Sequence, residues 1–129
     1  MAAPAIIETI FQKTEGDCAI AALAMLLGVP YVTVSETALT IKEDPLRDGL
    51  YISDIQRVAK KLGQALQSVK PASINLSEET GILFLRRPAY AHTVVLFQGV
   101  VYNPSDGMLW DLDTFVHTNK YRIVRLLRV

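Results

Sequence analysis

The stretch "QKTEGDCAIAALAMLLG", residues 12–28, decides how this chain is read. A polar approach from Gln12 to Asp17 meets Cys18, the single cysteine, and a nearly unbroken apolar run follows. Asp17 is a favourable N-cap, and the residues from Cys18 to Leu27 are good helix formers closed by Gly28 and Pro30. Because this helix is apolar nearly all round, it is expected to be central and buried on most sides. Cys18 then has two readings. It is a small hydrophobe at the start of a core helix, the commoner role of a lone cysteine. Alternatively it is a nucleophile whose thiolate is favoured by the unpaired N–H groups and dipole of a helix N-terminus.

Working outward, "VSETALTIK" (34–42) is expected to form a short helix capped by Ser35. A clearer helix has Ser53 as cap of "DIQRVAKKLG" (54–63), with Ile55, Val58, Ala59 and Leu62 at helical spacing and Gly63 as the stop. From residue 64 the period changes towards strands. "QALQSV" (64–69) alternates weakly until Pro71, and "GILFLRR" (81–87) is a short apolar run. "HTVVLF" (92–97) and "VVYN" (100–103) flank Gln98-Gly99, which reads as a hairpin turn. "DLDTFVHTNK" (111–120) is a loop or short helix before a final strand in "YRIVRLLRV" (121–129). Helices first and an antiparallel sheet afterwards make an α+β arrangement, expected as one domain over residues 1–129.

Composition narrows the function classes. With 129 residues, half of them hydrophobic, the chain can bury a real core. Thirteen Lys and Arg balance thirteen Asp and Glu, which removes the electrostatic case for a nucleic-acid or anionic-membrane partner. One cysteine excludes an internal disulfide framework and a cysteine-based zinc site, and it fits a reducing compartment. The apolar run from Ala19 to Val29 is about half of the ~20 residues that a membrane span needs. "MAAPAIIETIFQK" (1–13) lacks the basic and sustained apolar regions of a signal peptide. The expectation is a soluble, cytoplasmic domain; oligomeric state is not legible.

A cysteine nucleophile needs a base, and His92 is the candidate, because it opens a strand whose end can face a cleft. His117 lies in a polar segment without an obvious partner. If Gln98-Gly99 is a two-residue turn, Phe97 pairs with Val100 and Val94 with Asn103. His92, Val94 and Asn103 then share one face, with His92 and Asn103 as diagonal neighbours. Asp106 falls on the opposite face in that register, so Asn103 is the better orienter of the imidazole. Acyl transfer also needs donors at the developing oxyanion: the Cys18 N–H is one and the Gln12 side-chain amide the other. Alone, each residue has a plainer role. Gln12 is a surface glutamine, His92 a hydrogen-bonded strand-end histidine and Asn103 the start of a turn, while Asp111 and Asp113 are capping or solvated residues.

Gln12 six residues before the cysteine, "QKTEGDCA" leading into an apolar helix, and later "HTVVL…VYNP" together resemble papain-like cysteine peptidases. The resemblance is nearest to bacteriocin leader-processing peptidases, which cut after double-glycine leaders, and it extends through "GLYISDIQRVAKKLG" (49–63). It implies a Gln12 oxyanion hole, a Cys18 nucleophile, a His92 base and an orienting Asn103. Two departures from that family's pattern are Ala19, where glycine is usual after the cysteine, and Asn103-Pro104, where Asp-Pro is usual. The expected function is a cysteine hydrolase acting on a peptide, isopeptide or related amide in a peptide or protein substrate, with no metal or organic cofactor. The alternative is a catalytically silent papain-like domain acting as a peptide- or protein-binding or inhibitory module. The segments expected to line the cleft are the approach loop, "IKEDPLRDGLY" (41–51) and "RRPAYAH" (86–92), with Tyr51, Tyr90 and Trp110 as apolar contacts.

Overall fold

A computed structural model of the chain describes residues 9–14, 16–73 and 75–129. The N-terminal segment read above for targeting signals therefore lies largely outside the described residues. Helix α1 (Cys18–Leu27) is the expected central element, and every residue from Ala19 to Leu27 is buried. At its C-terminus Gly28 takes a left-handed conformation (φ 66°) and donates its N–H to Ala24 O at 3.0 Å. That conformation suits glycine, which has no Cβ to clash.

Helix α2 (Tyr31–Leu39) starts four residues before the expected Ser35 cap. Pro30 supplies the entry, with extended dihedrals and a carbonyl that accepts Val34 N–H at 3.2 Å, so Ser35 lies inside the helix. A four-residue helix α3 (Pro45–Asp48) follows, capped by Asp44. It was not expected, being too short to show a period. Helix α4 (Ile52–Lys61) buries Ile55, Val58 and Ala59. Its first turn is closed by the Asp54 carboxylate, which accepts the Tyr51 N–H at 3.0 Å, rather than by Ser53 as expected.

The sheet is antiparallel, in the order β1-β6-β2-β3-β4-β5. Its strands are β1 (Gln67–Val69), β2 (Thr80–Arg87), β3 (Tyr90–Phe97), β4 (Val100–Asn103), β5 (Met108–Asp111) and β6 (Arg122–Arg128). Gly81 is required where β2 passes β6, because a Cβ there would run into the Leu127 carbonyl oxygen. The β3–β4 hairpin has the expected register, with Phe97 opposite Val100. Gln98 (φ 49°) and Gly99 (φ 84°) both adopt positive φ, as a two-residue turn of matching twist demands. Strand β5 was not read from sequence, because Gly107 and Asp106 masked a four-residue strand.

Residues 111–120 resolve into helix α5 (Leu112–Asn119), capped by Asp111, whose carboxylate accepts Thr114 N–H at 3.2 Å. The fold is α+β, with helices against both faces of the sheet. On one face α1, α2 and α4 pack with Ile82, Phe84, Val95 and Leu127. On the other, Leu112 and Phe115 of α5 cover Leu83, Leu85, Val94, Leu96, Val101 and Leu126. No helix among the described residues is long and apolar enough to cross a membrane.

Candidate active site

Cys18 is the first residue of α1, so its own N–H has no partner within the helix. The preceding residue behaves differently from expectation. Asp17 occupies the N-cap position, but its side chain makes no cap hydrogen bond to the helix. The fully buried carboxylate turns back on the approach loop instead, accepting Lys13 N–H at 2.7 Å and Thr14 N–H at 3.0 Å. The Tyr31 hydroxyl of α2 donates a further short hydrogen bond to it. Burying a carboxylate is tolerable only when such donors replace water, and three do so here. The loop is also pinned at Gly16, where any Cβ would collide with the Leu46 and Arg47 carbonyl oxygens. Thr14 Oγ1 donates to Leu46 O at 2.8 Å.

Gln12 enters through the backbone, its N–H donating to Pro104 O at 2.9 Å. The strand-to-turn segment after Asn103 is thereby tied to the loop before Cys18. The Gln12 side-chain amide donates one hydrogen to Thr14 O at 2.8 Å, while Oε1 is buried with no hydrogen-bond partner. An amide nitrogen carries two hydrogens, so one donor remains for another acceptor.

His92 and Asn103 are both buried, and His92 Nε2 lies 2.7 Å from Asn103 Oδ1. The Ser105 backbone N–H also points at Asn103 Oδ1, at 3.3 Å. A backbone N–H can only donate, so the amide oxygen and not the nitrogen faces His92. His92 Nε2 therefore carries the proton of the neutral ring, and Nδ1 presents a lone pair. That nitrogen is buried and makes no hydrogen bond. Asp106 is occupied elsewhere, accepting Trp110 Nε1–H at 2.9 Å and Met108 N–H at 2.8 Å.

The Cys18 thiol sits against Thr93, the residue after His92. Burial pushes the thiol above its ordinary value of 9.0, opposed by hydrogen bonds from the Thr93 backbone and side chain and from the Ala19 backbone, while the Asp17 charge adds to the rise. The helix start was expected to lower this pKa; burial outweighs it. His92 is held below its ordinary 6.5, first by burial, with the Asn103 bond opposing and the Arg87 charge reinforcing. Since Nδ1 has no partner, thiol and imidazole are not hydrogen-bonded to each other here, and both rest neutral near pH 7.

Three further residues surround His92: Tyr90 and the segment holding Arg87 were expected at the cleft, and Tyr121 was not. The Tyr121 ring stacks on His92 at 5.8 Å and on Phe115 at 5.6 Å, and Tyr90 leans on His92 at 5.9 Å. The Arg87 guanidinium lies 4.8 Å over both tyrosine rings. Tyr121 is pushed up to about 12, chiefly by burial. Of the other expected cleft aromatics, Trp110 packs edge-on against Phe115 at 5.6 Å. Tyr51 is exposed, under Lys42 at 4.2 Å. His117 stands on α5, in its last turn.

Helices over an antiparallel sheet, with the buried helix opening on the cysteine, make the papain-like cysteine peptidase fold. The family profile for the Peptidase C39 family matches residues 7–99, and the chain belongs to that family. The match takes in Gln12, Cys18 and His92 and ends before Asn103. No curated protein matches the chain.

Proposed function

We propose that this chain is a cysteine hydrolase of peptide or related amide bonds, with Cys18 as nucleophile, His92 as base, Asn103 as orienter and Gln12 as oxyanion donor. The observation that carries the reading is the His92 tautomer. Asn103 Oδ1, identified as oxygen by the Ser105 N–H, accepts the Nε2–H hydrogen bond and leaves a buried, unpartnered Nδ1 lone pair beside the residue that contacts the thiol. A general base needs that lone pair, and a structural histidine normally has it satisfied.

In the reaction the Cys18 side chain turns about its single χ angle from Thr93 towards Nδ1 and passes its proton there. The sulfur adds to the substrate carbonyl carbon, and the resulting oxyanion takes hydrogen bonds from the Cys18 N–H and the second Gln12 amide hydrogen. The C–N bond breaks as Nδ1–H protonates the departing amine. Water then adds to the thioester and gives a proton to Nδ1. The C–S bond breaks, and that proton returns to sulfur. Asn103 holds the ring throughout. The chain works as one domain on a peptide or protein, in a reducing compartment such as the cytoplasm, where its free cysteine stays a thiol.

A second reading, a silent peptide-binding module, is favoured by the raised thiol pKa and the missing Cys18–His92 hydrogen bond. A mixed peptide library followed by mass spectrometry separates the two. Cleavage by the wild-type chain, lost in Cys18→Ala and in His92→Ala, supports the hydrolase. Peptide retention by both wild type and Cys18→Ala, with cleavage by neither, supports the module.

A further inference from the structure

At the tip of the β2–β3 hairpin, Arg86, Arg87, Pro88, Ala89, Lys120 and Arg122 line a cavity of about 410 Å³. Four of its six lining residues are cations in a chain whose charges balance overall. Among the described residues, none of the four forms an ion pair with a carboxylate. The sheet makes the crowding worse, because Arg86 and Arg122 are direct cross-strand partners of β2 and β6. Like charges so placed destabilise a sheet. Arg87 donates to Asn119 O at 3.0 Å, which fixes its guanidinium between the cavity and the Tyr90 and Tyr121 rings. Both rings in turn touch His92.

From these observations we infer that the cavity is a substrate subsite for a carboxylate, so that the favoured peptides carry an acidic side chain or a free C-terminus close to the bond at Cys18. The inference rests on the hydrolase reading for what lies next door, while the cavity's own chemistry stands apart from it. Guanidinium groups pair with carboxylates through two parallel hydrogen bonds, and several fixed cations favour that anion over a neutral isostere. A single aromatic layer separates Arg87 from His92. The carboxylate therefore belongs to a residue about two to four positions from the scissile bond, at ~3.3 Å per extended residue. A bound carboxylate also offsets the Arg86–Arg122 opposition, so binding relieves a repulsion built into the free protein.

The test is binding of eight-residue peptide pools to the full chain at low and physiological salt. One pool contains Glu, its counterpart has Gln in the same positions, and each is made with a free and with an amidated C-terminus. The expected result is at least tenfold tighter binding of the carboxylate-bearing pools, weakened by salt and largely lost in Arg86→Gln and in Lys120→Gln. The Glu pool with an amidated end and the Gln pool with a free end tell a side-chain carboxylate from a terminal one. Arg86→Gln should also melt about 1–4 °C higher than wild type in the absence of peptide, since it removes one of two opposed charges. Lys120→Gln reads the same cavity without touching the sheet. Equal binding of all four pools overturns the inference, as does a carboxylate preference untouched by both variants. Tighter binding of a 12-nucleotide single strand than of any peptide pool overturns it too. Cleavage without acidic preference removes the subsite and leaves the hydrolase; acidic preference without cleavage does the reverse.

Discussion

His92 Nε2 and Asn103 Oδ1 meet at 2.7 Å across the β3–β4 hairpin, and this one contact fixes which ring nitrogen of His92 is free. Replacing Asn103 with Ala removes the acceptor and lets the tautomers mix. Turnover of any cleaved peptide is expected to fall on the order of 10²-fold or more, with KM little changed. Ring-nitrogen NMR shifts of His92 should move towards a tautomer average. A wild-type spectrum already showing an Nδ1-protonated ring would sink the orienting role. Asn103→Asp, which installs the family's usual residue, should raise the His92 pKa and move the acid limb of kcat/KM to higher pH.

Burial holds His92 below 6.5, so the base stays neutral in mildly acid solution and the acid limb of kcat/KM is expected below that value. The same shift has a stability consequence. Between the folded pKa and 6.5 the unfolded chain binds more protons, so stability is complete above 6.5 and declines as pH falls through that window. For Cys18 the raised pKa works at the other end, and stability declines as pH rises above 9.0. Urea melts across pH, compared with His92→Gln and Cys18→Ala, isolate the two contributions. Alkylation of Cys18 by iodoacetamide should be slow at pH 6 and accelerate only above 9.0.

Arg87 contributes a positive charge at His92, opposed by the Asp106 carboxylate and by the Asn103 bond. Tyr121 faces the ring as a neutral group near pH 7, and the Cys18 thiol is neutral there too. Arg87→Gln is therefore expected to raise the His92 pKa and shift the acid limb upward, read by proton NMR titration of His92. An unchanged titration would show that solvent screens the guanidinium fully.

Asp17 accepts three donors in a site with no solvent exposure. Asp17→Ala leaves two backbone N–H groups and a tyrosine hydroxyl unsatisfied, and is expected to cost on the order of 3 kcal/mol or more. Tyr31→Phe should cost about 1–3 kcal/mol by leaving the buried carboxylate one donor short. A double-mutant cycle in urea measures the pair: a coupling near zero would mean that the short contact contributes nothing.

Much of the architecture was legible where a period was long enough to read. Helix α1 announced itself by an apolar run between Asp17 and Gly28, and α4 by the spacing of Ile55, Val58, Ala59 and Leu62. The hairpin register followed from Gln98-Gly99, and with it the meeting of His92 and Asn103. Short elements such as α3 and β5 escaped because four residues do not establish a period. What the sequence could not show was contact between distant segments. Nothing local links Tyr31 to Asp17, or Tyr121 to His92, and the Arg86–Arg122 opposition exists only once β2 and β6 pair. The two readings of Cys18 stayed open in the sequence for a related reason: a helix start is visible there, but the depth at which the fold buries it is not.

The loop before Cys18 is fastened twice, by the Gln12 N–H on Pro104 O and by the Lys13 and Thr14 N–H groups on Asp17. In mechanical terms these are two anchors in series ahead of the sulfur. Tension applied to the chain upstream of residue 12 passes first into the turn after β4 and then into a buried carboxylate braced by α2. A tag, a fusion partner or a surface tether joined on that side therefore pulls on these two anchors before it pulls on α1.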